Sequence, residues 1–394
     1  MPARLGPSED RPCVPRPVTL REVRAKSLLR KGSRIDSWFL AACGMNLYRG
    51  CAHDCAYCDG RAEKYAVQGE FGAEVAVKAN AVQLLRRELA PPRRTAGADS
   101  AGGYVLLGGG VGDSYQPAEE RYRLARATLE LLLELGRPVH VLTKSILVER
   151  DLDLLLSIHD RSRAILSMSF SCADDALAAR FEPNVPSPSA RLRLLERGKR
   201  AGLPTGLFLM PALPFVTDTE EVLGQTLRRA AEVGVDFVLF GGLTLKPGRQ
   251  KEHYLAALSA FKPELAERTR RLYPEGEQEP KGYARDVLRR FAALAAECRL
   301  AVRIPPALYA GLLPAARQAV VVLEHLHYLL ELRGQASPYG GAARLLAARP
   351  ELAEAGQLDL FPDNGLKAEA AQVVGELRRT GRCRLLERLL VATP

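Results

Sequence analysis

Three cysteines crowd into eight residues of this 394-residue chain, where Asn46-Leu-Tyr-Arg-Gly-Cys51-Ala-His-Asp-Cys55-Ala-Tyr-Cys58 reads C-x3-C-x2-C. Three thiolates this close can hold three irons of one cubane cluster and leave the fourth iron without a protein ligand. An open iron accepts a chelating molecule, and the amino and carboxylate groups of S-adenosylmethionine (SAM) suit it. One electron from the cluster then breaks a C–S bond and yields a 5′-deoxyadenosyl radical, which abstracts hydrogen from a substrate. The alternative is a structural zinc site with His53 as fourth ligand. His53 stands only two residues after Cys51, which makes tetrahedral ligation awkward, and no second C-x2-C lies nearby. Cys13, Cys43, Cys172, Cys298 and Cys383 are scattered and too few for a disulfide scaffold.

Such a triplet needs a rigid carrier. From residue 38 short apolar runs alternate with amphipathic helical patterns. The runs predict strands at 38–46, 104–107, 139–143, 164–170, 205–210 and 237–240, with helices at 82–89, 117–135, 151–161, 190–200 and 219–233. Asp218 or Thr219 is placed to cap the last of these helices. Strands alternating with helices imply a parallel sheet with right-handed crossovers, either a barrel or a doubly wound sheet. In both, chemistry gathers at the C-terminal ends of the strands. Residues 1–37, rich in Pro and Arg, read as an N-terminal arm, and 38–262 as the α/β domain that carries the cysteines. Residues 263–335 read as a helical C-terminal extension with a short strand at 300–304 and a long helix at 314–332. Residues 336–394 form a tail ending in a helix at 367–379, and 91–103 is a low-complexity surface loop.

Hydrophobic residues make up 47% and charged residues 26% of the chain, an ordinary balance for a globular protein. No apolar run approaches the roughly 20 residues of a membrane span, and no secretory signal opens the sequence, so a cytoplasmic protein without membrane contact is expected. The formal charge of +10 suits a polyanionic partner such as nucleic acid. Of the 56 basic residues 45 are Arg, a bias that a GC-rich genome also produces.

Further landmarks follow in order. Lys26-Ser-Leu-Leu precedes the first strand, and Gly112-Asp113-Ser-Tyr-Gln116-Pro117-Ala-Glu119 follows the second. Leu142-Thr143-Lys144-Ser145 follows the third, and Phe181-Glu182-Pro183 is followed by Ser-Pro-Ser-Ala-Arg191-Leu192. With the cysteine segment, these make residues 22–255 resemble the spore photoproduct lyase-like branch of the radical SAM superfamily, a branch of DNA-repair photolyases. The resemblance implies an α/β fold, a partial (β/α)6 TIM-type barrel with a mainly helical C-terminal extension and SAM across the strand ends. It also implies an electron donor such as flavodoxin or ferredoxin. Lys144 and Ser171, with Ser169 a close second, match positions that contact SAM in that family. Tyr57 matches a tyrosine at the active site, Asp113 and Gln116 stand at the barrel mouth, and Gly241-Gly242 offers bare backbone to the adenine ring.

Two positions depart from the pattern. A hydrogen-donating cysteine of spore photoproduct lyase is replaced here by Gly110, and the tyrosine after its third cluster cysteine by Asp59. Both belong to the relay that returns the radical, so efficient repair of spore photoproduct is not expected. Cys172, at the end of the fourth strand, is the candidate replacement donor, against the alternative of a small core filler. Near the C-terminus, Gln357-Leu358-Asp359-Leu360-Phe361 resembles the peptide by which bacterial polymerases and repair proteins dock on the replicative sliding clamp. The expected function is radical SAM chemistry on DNA or another nucleic acid, associated with repair. Its rivals are a peptide or metabolite substrate, or a non-catalytic zinc-stabilised adaptor.

Purified without oxygen, the protein should be brown and carry about four irons and little zinc. Replacing Cys51, Cys55 or Cys58 by Ala should abolish the cluster and SAM cleavage, while Cys13 and Cys383 should be dispensable. Stoichiometric zinc without iron in elemental analysis would overturn the cluster assignment.

Overall fold

Each apolar run that is hydrophobic on both sides becomes a strand buried on both faces, as expected where a parallel sheet is covered on either side. The computed structural model describes residues 17–65, 67, 69–90, 102–109, 111–353 and 366–391. The strands are β1 Thr19–Val23, β2 Arg30–Asp36, β3 Ala41–Met45, β4 Tyr48–Arg49, β5 Glu74–Lys78, β6 Tyr104–Gly108, β7 Val139–Thr143, β8 Ala164–Phe170, β9 Thr205–Leu209 and β10 Phe237–Phe240. The helices begin with α1 Ala81–Leu89, α2 Ala118–Tyr122, α3 Leu124–Glu134, α4 Leu152–Ser162, α5 Asp175–Phe181 and α6 Pro188–Arg200. They continue with α7 Glu220–Glu232, α8 Arg249–Phe261, α9 Pro263–Leu272, α10 Lys281–Glu297, α11 Ala315–Leu332 and α12 Tyr339–Ala348, followed by helices at Ala368–Thr380 and Arg384–Val391.

The main sheet has the order β10-β9-β8-β7-β6-β3-β2. Its pairings are parallel from β3 to β10, and β2 joins β3 antiparallel at the edge. The six parallel strands therefore lie in chain order with no reversal, whereas a doubly wound sheet reverses its order at a switch point. That leaves a singly wound sheet. A smaller sheet, β1-β5-β4, stands beside it and leads into the cysteine loop.

Two apolar layers cover the main sheet. On one side Leu129, Leu155, Leu195, Leu227 and Phe291 from the helices pack with Val141, Leu166, Leu209 and Val238 of the strands. On the other, Tyr104, Ile165, Phe208 and Phe237 meet Ile304, Tyr309, Leu313 and Val321, which come from the far end of the chain. Backbone and side-chain bonds stitch that second layer down. The Val238 amide donates to the Ala301 carbonyl at 2.8 Å and the Gly103 amide to the Leu312 carbonyl at 3.2 Å. The Tyr104 hydroxyl donates to the Leu308 carbonyl at 2.6 Å.

Several sequence expectations change. β1 and β2 lie within the stretch read as an arm; their charged, edge-strand residues hid them. The helix expected over 117–135 breaks at Arg123, whose φ of 52° is left-handed, into α2 and α3. Residues 300–304 form no strand, since Pro305 and Pro306 follow at once. Thr219, not Asp218, caps α7, accepting from the Val222 amide. α12 and the helix Arg384–Val391 were not anticipated in the tail. Among the described residues no helix is long and apolar enough to cross a membrane.

Candidate functional site

Residues 50–58 form an irregular loop directly after β4, and other elements hold it from every side. Gly50 is required where the loop begins: its φ is +82° and a side chain there would meet the Glu74 carbonyl at 2.5 Å. Gln116, fully buried, accepts from the Ala52 amide at 2.9 Å and donates to the Gly50 carbonyl at 3.1 Å. Asn184 donates to the Ala52 carbonyl at 3.0 Å, the Ala56 amide donates to the Phe181 carbonyl at 2.8 Å, and Gln250 donates to the Tyr57 carbonyl at 3.0 Å. Arg61 reaches back to the carbonyls of Asp54 and Cys55. An irregular segment buried this deeply can exist only with its polar groups so satisfied.

Beneath the loop lies a buried carboxylate, Glu182. It accepts from Arg191 at 2.6 Å, Ser171 at 2.9 Å and Lys144 at 3.2 Å, and also from the Tyr57 hydroxyl. Arg191 is itself fully buried, its guanidinium 4.6 Å from the centre of the Phe170 ring. Burial alone would push the Glu182 carboxyl up; the Arg191 and Lys144 cations and the two hydroxyl bonds outweigh it and hold the group at about 2.

The pocket above is lined by Cys51, Cys55 and Cys58 together with His53, Asp113, Lys144 and Ser169, and has an empty volume of ≈ 530 Å³. Phe71, Leu142, Gly109 and Gly112 complete its walls. Burial raises all three thiols, and for Cys51 the Asp113 carboxylate adds to the effect. Thiolates there need a cationic counter-charge, which an iron cluster supplies. Among the described residues no three His, Cys, Asp or Glu side chains gather tightly enough for a single metal ion. A cubane takes one thiolate per iron, and three cysteines lining one pocket supply that donor set. His53 turns to Asp113 at 3.6 Å, and burial pushes its imidazole below the ordinary range.

The other expected residues divide. Asp113 is a brace as well as a wall: it accepts from the Thr143 hydroxyl at 2.7 Å, the Lys144 amide at 2.7 Å and the Tyr115 amide at 2.8 Å. Ser171 and Tyr57 face Glu182 and do not line the pocket. Gly241 and Gly242 line a separate cavity with Trp38, Glu279 and Tyr328. Cys172 is wholly buried and points its Sγ at the Asp174 carbonyl at 3.6 Å, away from the cysteine pocket. Gly110 and Gln357–Phe361 lie outside the described residues. Glu182 and Arg191 were read only as landmarks. Their signal was a pair of charged residues beside Pro183 and Pro188, with no motif to assign them a role.

The chain is similar to known proteins in sequence. The sequence model of the Radical SAM superfamily matches residues 45–227. An uncharacterized protein of Mycobacterium tuberculosis is 34% identical over 306 residues, covering 75% of this chain and 87% of that one. One from Methanocaldococcus jannaschii is 28% identical over 212 residues, covering 54% and 74%. A solved structure of a spore photoproduct lyase variant with dinucleoside spore photoproduct aligns with a TM-score of 0.46 at 14% identity, over 71% of this chain and 79% of that one.

Glu182→Gln removes the charge while keeping the shape, and near neutral pH it should cost about 3–5 kcal/mol because Arg191 is left buried without its partner. Since the folded carboxyl sits at about 2 against an ordinary 4.5, its contribution is complete above 4.5 and is lost as pH falls from there towards 2. The stability gap between wild type and variant, measured by denaturant unfolding, should close over that window. A gap unchanged from neutral pH down through it would show that Glu182 is not charged in the fold.

Proposed function

The chain belongs to the radical SAM superfamily and is an enzyme whose cofactors are a [4Fe–4S] cluster and SAM, and from this we propose that Cys51, Cys55 and Cys58 hold the cluster and that the substrate is a nucleic acid. The observation that carries the site assignment is the single pocket in which the three thiols meet Lys144 and Ser169. The cluster, when bound, supplies the electron that cleaves SAM to a 5′-deoxyadenosyl radical, which takes a hydrogen atom from the substrate. The protein's own part is positional. Lys144, anchored on Glu182 and with its ammonium 5.5 Å from the centre of the Tyr57 ring, offers a fixed positive charge to the carboxylate of SAM. Tyr57 and Ser171 act through Glu182 to keep that charge in place. Phe71 and Leu142 limit the access of water to the pocket.

We read the six chain-ordered strands as a partial (β/α)6 barrel whose mouth is this pocket. The nucleic-acid substrate is supported by the five landmarks of the DNA-repair branch and by the charge of +10. Cys172 is not retained as hydrogen donor, because nothing brings its thiol to the pocket. The segment Gln357–Phe361 supports docking on the bacterial sliding clamp by its sequence alone, with Leu360 and Phe361 as the apolar anchors.

With the reconstituted enzyme and a chemical reductant under anaerobic conditions, damaged DNA should raise the release of 5′-deoxyadenosine. DNA deuterated on its sugars and thymine methyls should pass deuterium into that product. Release that DNA does not alter, with label arriving only from a peptide or metabolite, would remove nucleic acid as substrate. Separately, replacing Leu360 and Phe361 by Ala should abolish binding to the clamp in surface plasmon resonance, since burying each anchor contributes roughly 1.5–3 kcal/mol. Undiminished binding by that variant would end the docking proposal.

A further inference from the structure

The small sheet places two arginines on either side of a short residue. Arg21 of β1 and Arg49 of β4 are both in register with Ala76 of β5, one from each side. Residues in register share a face, and neighbouring strands lie about 4.8 Å apart, so the two guanidinium stems rise roughly 10 Å apart over an alanine floor. The result is a trough. It continues along the same face to Lys78, and Arg24 and Lys26 close its end, while among the described residues Glu74 is the one acidic residue lining it. Among the described residues no carboxylate lies within ion-pair distance of Arg24, Lys26 or Arg49. Lys78 donates to the Asn46 carbonyl at 2.6 Å, and burial followed by the nearby Arg49 and Arg30 cations pushes its ammonium below the ordinary range. Cations thus outnumber carboxylates along the trough. The trough also adjoins the cysteines, since Arg49 stands two residues before Cys51, a span of at most about 7 Å.

We infer that this trough is the track for the phosphodiester backbone of the nucleic-acid substrate, an inference that rests on the nucleic-acid reading above. A linear polyanion follows a concave row of cations. A membrane surface is flat on the scale of the protein and does not enter a trough, and an acidic peptide has no fixed spacing of charge to match it. With the backbone held beside the cysteine loop, the reacting nucleotide must leave the strand to enter the recessed pocket, as enzymes acting on bases require.

The test uses the full chain with its cluster reconstituted, short fluorescein-labelled single-stranded and duplex DNA, and anisotropy between about 50 and 200 mM salt. The triple variant Arg24→Gln, Lys26→Gln, Arg49→Gln should bind at least about tenfold more weakly at the low-salt end. Its log–log salt slope should be shallower by about 2–3, near one for each lost phosphate contact. The double variant Arg24→Gln, Lys26→Gln, which leaves the residue beside the cysteine loop untouched, should lose about two-thirds of that slope and melt at the wild-type temperature. If wild type and both variants bind DNA with equal affinity and slope, the trough is not the track, though the nucleic-acid reading stands. If the wild type binds neither DNA nor RNA, that reading fails and the inference with it. Tighter binding to phosphatidylserine vesicles or polyglutamate than to DNA, lost in the variants, would assign the trough to another anion and overturn the inference.

Discussion

Burying a carboxylate as fully as Glu182 is buried costs several kcal/mol unless cations and donors arrive with it. Here they come to Glu182, at the end of α5, from four places: the cysteine loop through Tyr57, the end of β7 through Lys144, the end of β8 through Ser171, and α6 through Arg191. None of these elements can shift without stranding a charge in a region from which water is excluded. The geometry of the thiol pocket is therefore a by-product of satisfying one anion. That is how a loop with no regular structure acquires the rigidity of the sheet beneath it.

The segment after β6 does comparable work from the other side. Asp113 braces the end of β7, and Gln116 ties the cysteine loop by its own backbone. Glu119, wholly buried, accepts from the Tyr48 hydroxyl at 2.6 Å and from Arg150 at 2.8 Å. Three polar side chains within seven residues thus link β4, β7 and the loop. Their role here is architectural first, with Asp113 alone also facing the pocket.

The parts legible in the sequence were those written in local pattern. The six parallel strands and most helices came from apolar periodicity, and the thiols from spacing that admits few other chemistries. The misses share a cause: they are decided by contacts distant along the chain. β2, with its sequence RKGSRID, is a strand because β3 offers it an edge, not because its residues favour one. Ser171 matched a SAM-contact position and Tyr57 an active-site tyrosine, yet a carboxylate between them claims both hydroxyls. Gly241 and Gly242 end the right strand but open into another cavity. Alternation along a strand gives a side chain's face; it does not give its partner.

The second apolar layer, with Ile304, Tyr309, Leu313 and Val321 seated against β6, β8, β9 and β10, has a consequence for how the protein is made. A ribosome completes all six parallel strands by residue 240, yet the residues that cover this face follow some 60 to 80 positions later. At about 5–20 residues per second, Phe208 and Phe237 wait on the order of ten seconds for their cover. During that interval the nascent sheet presents aromatic surface to solvent, the condition under which chains aggregate or recruit chaperones. The last third of the chain is thus a closing panel for the first two-thirds. Fragments cut at the edge of the catalytic half would carry that exposed face permanently.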